Sequence, residues 1–225
     1  VKTVAFVPLK LNNERLPGKN TRRFRSGRPL FHAILASLAE VEAIDEVFVY
    51  CSDPAITELL PEGVRYLSRS TDLDRSDTRI NAVIAAFVDD VPADVYVLAH
   101  ATAPFLSSAS IRRMVEAVRS GDHDSALSVV PLREFLWKDG APANYDPAHI
   151  PRTQDLEPLF AETSGVYVFR RELAVGTGRR VGEQAALIEV SDIEAVDVDD
   201  ATDFVIADAI DAYLSSAPES TGEAR

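Results

Sequence analysis

Through residue 132 the chain alternates between short continuous apolar runs and longer stretches in which apolar residues recur every three or four positions. A continuous run bounded by turn residues suits a strand buried on both faces. The three-to-four spacing suits a helix with one face in a core. Strands are predicted at 3–9 (TVAFVPL), 45–52 (DEVFVYCS), 93–101 (ADVYVLAHA) and 125–132 (SALSVVPL). Helices are predicted at 29–44, where Leu30, Ile34, Leu38 and Val41 share a face and Pro29 serves as first helical residue, at 79–91, and at 107–121, which opens on serines and closes on Gly121. A short helix at 53–61 begins on Asp53 as cap with Pro54 behind it. Strands that alternate with helices imply a parallel sheet covered on both faces, a doubly wound α/β fold. Ligands of such sheets bind beyond the carboxyl ends of the strands.

The pattern breaks after residue 132. Residues 133–160 show little periodicity and several prolines, and irregular segments of that length are often functional. Strands return at 165–173 and 185–200, and a helix at 201–214 closes the chain ahead of a polar tail, 215–225, expected to fray. One domain, 1–214, is expected.

Composition narrows the classes. The 225 residues are 46% hydrophobic, enough for a real core, and carry 23 Lys and Arg against 36 Asp and Glu, a net charge of −13. That balance disfavours nucleic acid or an anionic membrane as partner. The single cysteine, Cys51, excludes an internal disulfide and is read as a buried strand residue. With no signal segment and no apolar run near the roughly 18 residues of a membrane span, a cytoplasmic protein is expected.

Against this acidity the loop after the first strand, KLNNERLPGKN (10–20), places Lys10, Arg15 and Lys19 beside Asn12, Asn13 and a glycine. Cations at the carboxyl edge of strand one suit a phosphate, and a solvated loop of ordinary charges suits the same pattern. Neither GxxxxGK[ST] nor GxGxxG is present. In EAVDVDD (194–200), Asp197 and Asp199 flank Val198; in a strand they would share one face, as a pair of oxygen ligands for Mg²⁺, and the alternative reading has Asp199 or Asp200 capping the helix at 201. In LAHATAPF (98–105), His100 and Thr102 alternate toward one face. Arg152, Gln154 and Glu162 are polar groups in the irregular segment, Arg152 suited either to an anion or to a surface ion pair. No Ser/His/Asp or Cys/His grouping supports nucleophilic catalysis.

Four stretches in order, PLKLNNERLPGKN, LAHATAP, RTQDLEPLFAETSGVYVF and VDVDDATDF, resemble the acylneuraminate (CMP-sialic acid synthetase-like) cytidylyltransferase family, over residues 4 to about 210. The resemblance implies a Rossmann-like nucleotidyltransferase sheet with a dimerisation segment at about 133–170, and hence a homodimer in which Trp137 and Tyr145 are interface candidates. It implies CTP as donor, Mg²⁺ as cofactor, CMP transfer to a small acidic acceptor and release of pyrophosphate. On it, Lys10, Arg15 and Lys19 hold the triphosphate, and Asp197 and Asp199 hold Mg²⁺. Leu9, Asn12, Asn13, Ser52, Asp53, Arg69, His100 and Thr102 lie at the nucleotide, and His100, Arg152, Gln154 and Glu162 at the acceptor. The sequence departs from the family at Asn12-Asn13-Glu14, at His100 (glutamine in the family), at Ser164 and at Leu106. These changes fall more on the acceptor side than on the nucleotide. The acceptor is by family default a nonulosonic acid, with a small phosphonate as the alternative. A catalytically silent relative is a further alternative, disfavoured because Asp197 and Asp199 are both kept.

Overall fold

The computed structural model describes residues 1–11 and 16–216. Nine strands are present among them: β1 (Thr3–Leu9), β2 (Glu46–Cys51), β3 (Val64–Ser68), β4 (Val95–Ala99), β5 (Ser125–Leu132), β6 (Trp137–Lys138), β7 (Ala141–Pro142), β8 (Leu159–Arg170) and β9 (Ala185–Glu189). The helices are α1 (Leu30–Ala39), α2 (Ile80–Asp90), α3 (Ser108–Arg119), the short α4 (Arg171–Ala174) and α5 (Ala201–Ser216), with 3₁₀ turns between them.

Seven strands form one sheet in the order β3-β2-β1-β4-β8-β5-β9. All pairings are parallel except those of β8, which runs antiparallel between β4 and β5. Each parallel strand sends alternate residues to two cores. In β1, Ala5, Val7 and Leu9 pack under α1 and α3 with Phe31, Leu35, Ile111 and Met114. Val4 and Phe6 pack on the other face with Phe87 of α2 and Tyr96, the Phe6 and Phe87 rings stacked at 4.0 Å. The fold is therefore doubly wound, as its pattern implies, and Cys51 is buried in it.

The differences from the expected elements have physical causes. β3 has no counterpart among them. It is an edge strand, VRYLS, half-buried along most of its length, and so lacks an apolar run. β8 begins six residues before the expected 165, inside the irregular segment, because its first half pairs with the end of β5 past a register shift between Leu127 and Val129. The expected strand at 185–200 stops at Glu189, where its pairing with β5 ends at Val129 although β5 itself runs on to Leu132 beside β8. A turn and an extended segment carry residues 192–199 instead. The 53–61 segment is a 3₁₀ turn, Pro54–Leu59, capped by Asp53 accepting from the Ala55 N–H at 2.9 Å. Pro29 is the N-cap of α1 rather than its first helical residue, and α1 ends at Ala39 rather than at residue 44. α5 runs to Ser216, two residues beyond expectation.

A third core lies outside the sheet edge. Leu16 and Phe24 from the first loop, Leu30, Phe105, Val198, and Phe204 and Ala207 of α5 pack together. This cluster fixes both ends of the future site, because Lys19 follows Leu16 and Asp197 and Asp199 flank Val198. Residues 133–158 stand apart from the main sheet as an arm. In it β6 and β7 pair only with each other, turning through Asp139 and Gly140 at positive φ, and Trp137 is 63% exposed.

Candidate active site at the carboxyl edge of the sheet

Four neighbouring parallel strands each end one residue before a polar or charged side chain: Lys10 after β1, Ser52 after β2, Arg69 after β3 and His100 after β4. The shared register of the sheet therefore brings residues far apart in sequence to one edge. Between β1 and β4 the strand order reverses direction, the crevice where open α/β sheets bind ligands. A cavity of about 270 Å³ lies there, lined among others by Lys10, Lys19, Arg69, His100 and Thr102.

Lys19 opens a 3₁₀ turn preceded by Gly18 in the left-handed region, φ 67°. The turn is tied back to the strand end by Asn20, whose amide donates to the Lys10 carbonyl at 3.0 Å. The Lys19 ammonium donates to the Val198 carbonyl at 2.8 Å and to Asp199 Oδ1 at 3.3 Å. Lys10 Nζ reaches the Asp74 carbonyl at 3.4 Å. Arg69 is buried, its Nη2 donating to Asp74 Oδ1 at 2.6 Å, and Ser52 donates to the other oxygen of the same carboxylate. Asp74 thus collects three of the four strand-end groups. Its place in a 3₁₀ turn with no motif around it left it unseen in the sequence. Ser52 and Asp53 face an adjoining depression with Leu11 and Asp74 rather than the main cavity.

His100 and Thr102 sit in a turn after β4 rather than in a strand, and both line the cavity. Val198 N–H donates to the Thr102 carbonyl at 2.8 Å, and the Thr102 hydroxyl meets the Asp197 carboxylate. Asp197 and Asp199 therefore approach the cavity from an extended segment, held by that bond and by buried Val198, not from a strand. The preceding turn is locked to the start of α3 by Glu194, which accepts from the Ser107 N–H at 3.1 Å and its hydroxyl at 2.6 Å. Burial alone would raise that carboxyl, but bonds from Ser107, Ser191 and Ser110 hold it at about 2. Burial raises the Asp197 carboxyl above the usual range. The Asp199 charge adds to this, while Thr102 and Lys19 oppose it. Asp197 Oδ1 is buried with no hydrogen-bond partner among the described residues. An orphaned oxygen beside a second carboxylate is donor chemistry for a hard divalent cation, and the pair fits Mg²⁺. Among the described residues no group of three or more His, Cys, Asp or Glu side chains forms a metal cage. A cation here would complete its shell with water and substrate oxygens.

On the β8 side of His100 a residue unmarked in the sequence enters. Arg180, between α4 and β9, directs Nη1 at His100 Nε2 across 3.4 Å and lies over the Tyr167 ring at 3.6 Å. An arginine only donates, so Nε2 is an acceptor and the imidazole carries its proton on Nδ1. Burial, then the charges of Arg180 and Lys19, push the His100 pKa down to about 4, so the ring is neutral near pH 7. Tyr167 donates to Glu162 Oε2 at 2.6 Å, and burial followed by this bond raises its hydroxyl to about 12.

The other expected positions separate. Leu9 is buried under α1 and offers a ligand only backbone atoms. Arg152 and Gln154 lie on the exposed arm, where Arg152 makes a two-bonded pair with Asp155 at 2.7 and 3.0 Å, and neither lines the cavity of its own chain. Glu162 reaches the edge through Tyr167. Asn12, Asn13, Glu14 and Arg15 lie outside the described residues.

This sheet and its edge define a Rossmann-like nucleotidyltransferase fold. The solved structure of a CMP:2-keto-3-deoxy-manno-octonic acid synthetase complexed with CTP superposes with a TM-score of 0.69 at 15% identity, over 95% of this chain and all of that one. A family model described as Cytidylyltransferase matches residues 4–196, and the chain belongs to that family. It is similar to N-acylneuraminate cytidylyltransferase A of Danio rerio, 24% identical over 214 residues, and to CMP-N,N'-diacetyllegionaminic acid synthase of Legionella pneumophila, 26% identical over 226. The alignments cover 91% and 92% of this chain. The chain spans about half (49%) of the first relative and 95% of the second. No helix among the described residues is long and apolar enough to cross a membrane.

Proposed function

We propose that this chain transfers CMP from CTP to a small acidic acceptor and releases pyrophosphate, with Mg²⁺ as cofactor and as a homodimer. One observation carries the reading. In a member of the cytidylyltransferase family, two lysines and a carboxylate pair with an orphaned buried oxygen converge at the strand-order reversal.

In this reaction an acceptor oxygen attacks the α-phosphorus, the bond to the bridging oxygen breaks, and pyrophosphate leaves with the electron pair. Lys10 and Lys19 hold the triphosphate and neutralise charge that grows on the leaving group; Arg15 keeps the same assignment from the sequence. Catalysis of this kind is mostly positioning and electrostatics. Asp197 and Asp199 would hold Mg²⁺, which when bound supplies further charge neutralisation at the phosphates. Val198 and the Lys10–Asn20 contact keep these groups from shifting when the triphosphate arrives. His100, neutral near pH 7, separates the triphosphate cations from the acceptor side without adding charge.

The acceptor we favour is a nonulosonic acid, the substrate class in the names of the two relatives. A small phosphonate is the second reading, favoured by His100 at the family's glutamine position. The test is pyrophosphate release from CTP and Mg²⁺ with a panel of nonulosonic acids, Kdo and small phosphonates. Release with one class names the acceptor. CTP binding without release from any acid would instead indicate a silent nucleotide-binding relative.

A further inference from the structure

The proposed reaction brings two anions together, the triphosphate and the acid group of the acceptor. They repel, so the site needs two separate sets of cations. The first set, Lys10 and Lys19, lies in the first loop, against β1. Moving along the sheet edge, the next strands are β4, which ends just before His100, and β8, which carries Tyr167. Neighbouring strands are roughly 4.8 Å apart. Arg180 lies over Tyr167, so it stands on the far side of His100 from the lysines.

Arg180 is half-buried, and among the described residues it makes no ion pair. In a chain of net charge −13 the other buried or half-buried cations of this edge have a carboxylate or carbonyl partner. Lys19 has Asp199 and Arg69 has Asp74. What Arg180 has is an aromatic face and an imidazole nitrogen, which orient the guanidinium without neutralising it. Glu162 sits at the hydroxyl end of the same ring, bonded to Tyr167 Oη. It presents an acceptor for the hydroxyl or amino groups that sugar acids and aminophosphonates carry.

The segment carrying Arg180 is also fixed at both ends. Gly178 has φ 62°, and a Cβ there would stand 2.0 Å from the Asn81 carbonyl oxygen of α2. Asn81 in turn donates to the Gly178 carbonyl at 3.1 Å. A Cβ on Gly182 would stand 2.2 Å from Asp124 Oδ2, and the same carboxylate oxygen accepts from the N–H groups of Glu183 and Gln184 at 3.0 and 3.1 Å. Two glycines pressed against neighbouring elements, four residues apart, leave Arg180 little freedom to swing out to solvent.

We infer that Arg180, laid on Tyr167 and directed at His100 of the cavity wall, is the anchor for the oxyanion of the acceptor, a carboxylate or a phosphonate, and so a specificity-determining residue. The inference rests on the cytidylyltransferase reading, and the experiment is arranged so that each fails separately.

Arg180→Met and Arg180→Lys are compared with the wild-type chain, thermal melts confirming that each folds. With the acid that supports pyrophosphate release, Arg180→Met is expected to raise acceptor KM about 10- to 100-fold, the scale of losing a charge-assisted hydrogen bond, with Arg180→Lys in between. CTP affinity, measured by calorimetry without acceptor, is expected to change less than about twofold, since Arg180 is not among the triphosphate cations. An unchanged acceptor KM, or an equal loss of CTP affinity, overturns the assignment. A KM defect seen with sugar acids alone, or with phosphonates alone, identifies the oxyanion. Should the wild type release no pyrophosphate with any acid, the cytidylyltransferase reading fails. The anchor is then decided by the His100 imidazole NMR signals titrated with acetate and with methylphosphonate at constant pH. A saturable shift in the wild type that Arg180→Met abolishes upholds the anchor, and no shift with either probe overturns it.

Discussion

Arg69 and Arg152 are the same residue type, each paired with an aspartate a few positions on, yet they sit in opposite settings. Arg69 is buried at the end of β3, on Asp74, which also holds Ser52 and contacts Lys10. Arg152 stands on the arm with a side chain 73% exposed, and among the described residues its pair with Asp155 has no third member. An exposed pair of that kind is worth about 0–1 kcal/mol. A buried pair costs more when any of its polar atoms is left unpaired, and Arg69 Nε has no hydrogen-bond partner among the described residues, so its Nη2 bond to Asp74 holds it in place. The sheet-edge site is built on a framework of buried bonds between elements, whereas the arm offers polar and large apolar side chains that its own chain leaves uncovered, Trp137 and Ile150 among the latter. Chemistry is expected at the edge, and recognition by another copy on the arm.

The sharpest break of this contrast is Asp199→Asn. If the Asp197–Asp199 pair holds the cation, turnover is expected to fall by at least about two orders of magnitude, the scale of removing transition-state electrostatics. Near-normal turnover in single-turnover assays would remove the metal assignment. Next is Lys19→Ala, where CTP affinity is expected to weaken by about tenfold with acceptor KM unchanged, as one charge-assisted contact to phosphate is lost. A rise in acceptor KM alone would show that the triphosphate lies elsewhere. On the arm, Arg152→Ala is expected to leave the melting temperature within about a degree, since an exposed pair contributes little. It should raise acceptor KM severalfold if the arm reaches the cleft of a second copy, and sedimentation of the wild type should then give a dimer. An unchanged KM confines Arg152 to a surface role.

The smallest effect expected is on pH dependence. The folded His100 pKa is depressed, to about 4 from an ordinary 6.5. Between those values the unfolded chain binds the proton and the folded chain does not. The His100 contribution to stability is therefore fully present above pH 6.5 and is lost as pH falls toward 4. Melting curves of wild type and His100→Gln should converge in slope above pH 7 and diverge below pH 6, the wild type falling faster. Parallel curves would mean that the imidazole is not held neutral. Because carboxylates titrate in the same window, only the difference between the two proteins is diagnostic.

How far the sequence reached differs between the two regions for the same reason. Parallel strands buried on both faces must be apolar throughout, so β1, β2, β4 and β5 announce themselves, and with them the edge where Lys10, Lys19 and His100 fall. β3, half exposed at the sheet margin, carries no such signal. Asp197 and Asp199 were recognisable by motif, but their strand was not there to be found. The alternation around Val198 comes from one buried valine and one bond to Thr102. Arg180 has neighbours in sequence that say nothing. Its meaning comes from Tyr167, His100 and two glycine contacts, all with residues far away along the chain.

By itself, then, the order of apolar runs and helical periods determined a doubly wound α/β sheet and the edge at which its parallel strands end, because burial on both faces and turn chemistry are local properties of a chain. Only the tertiary structure decided that β8 enters antiparallel between β4 and β5, that Asp74 gathers the strand ends, that Arg152 lies off the cleft and that Arg180 lies beside it. Those outcomes depend on which distant segments pair and pack, and pairing energy belongs to two segments at once.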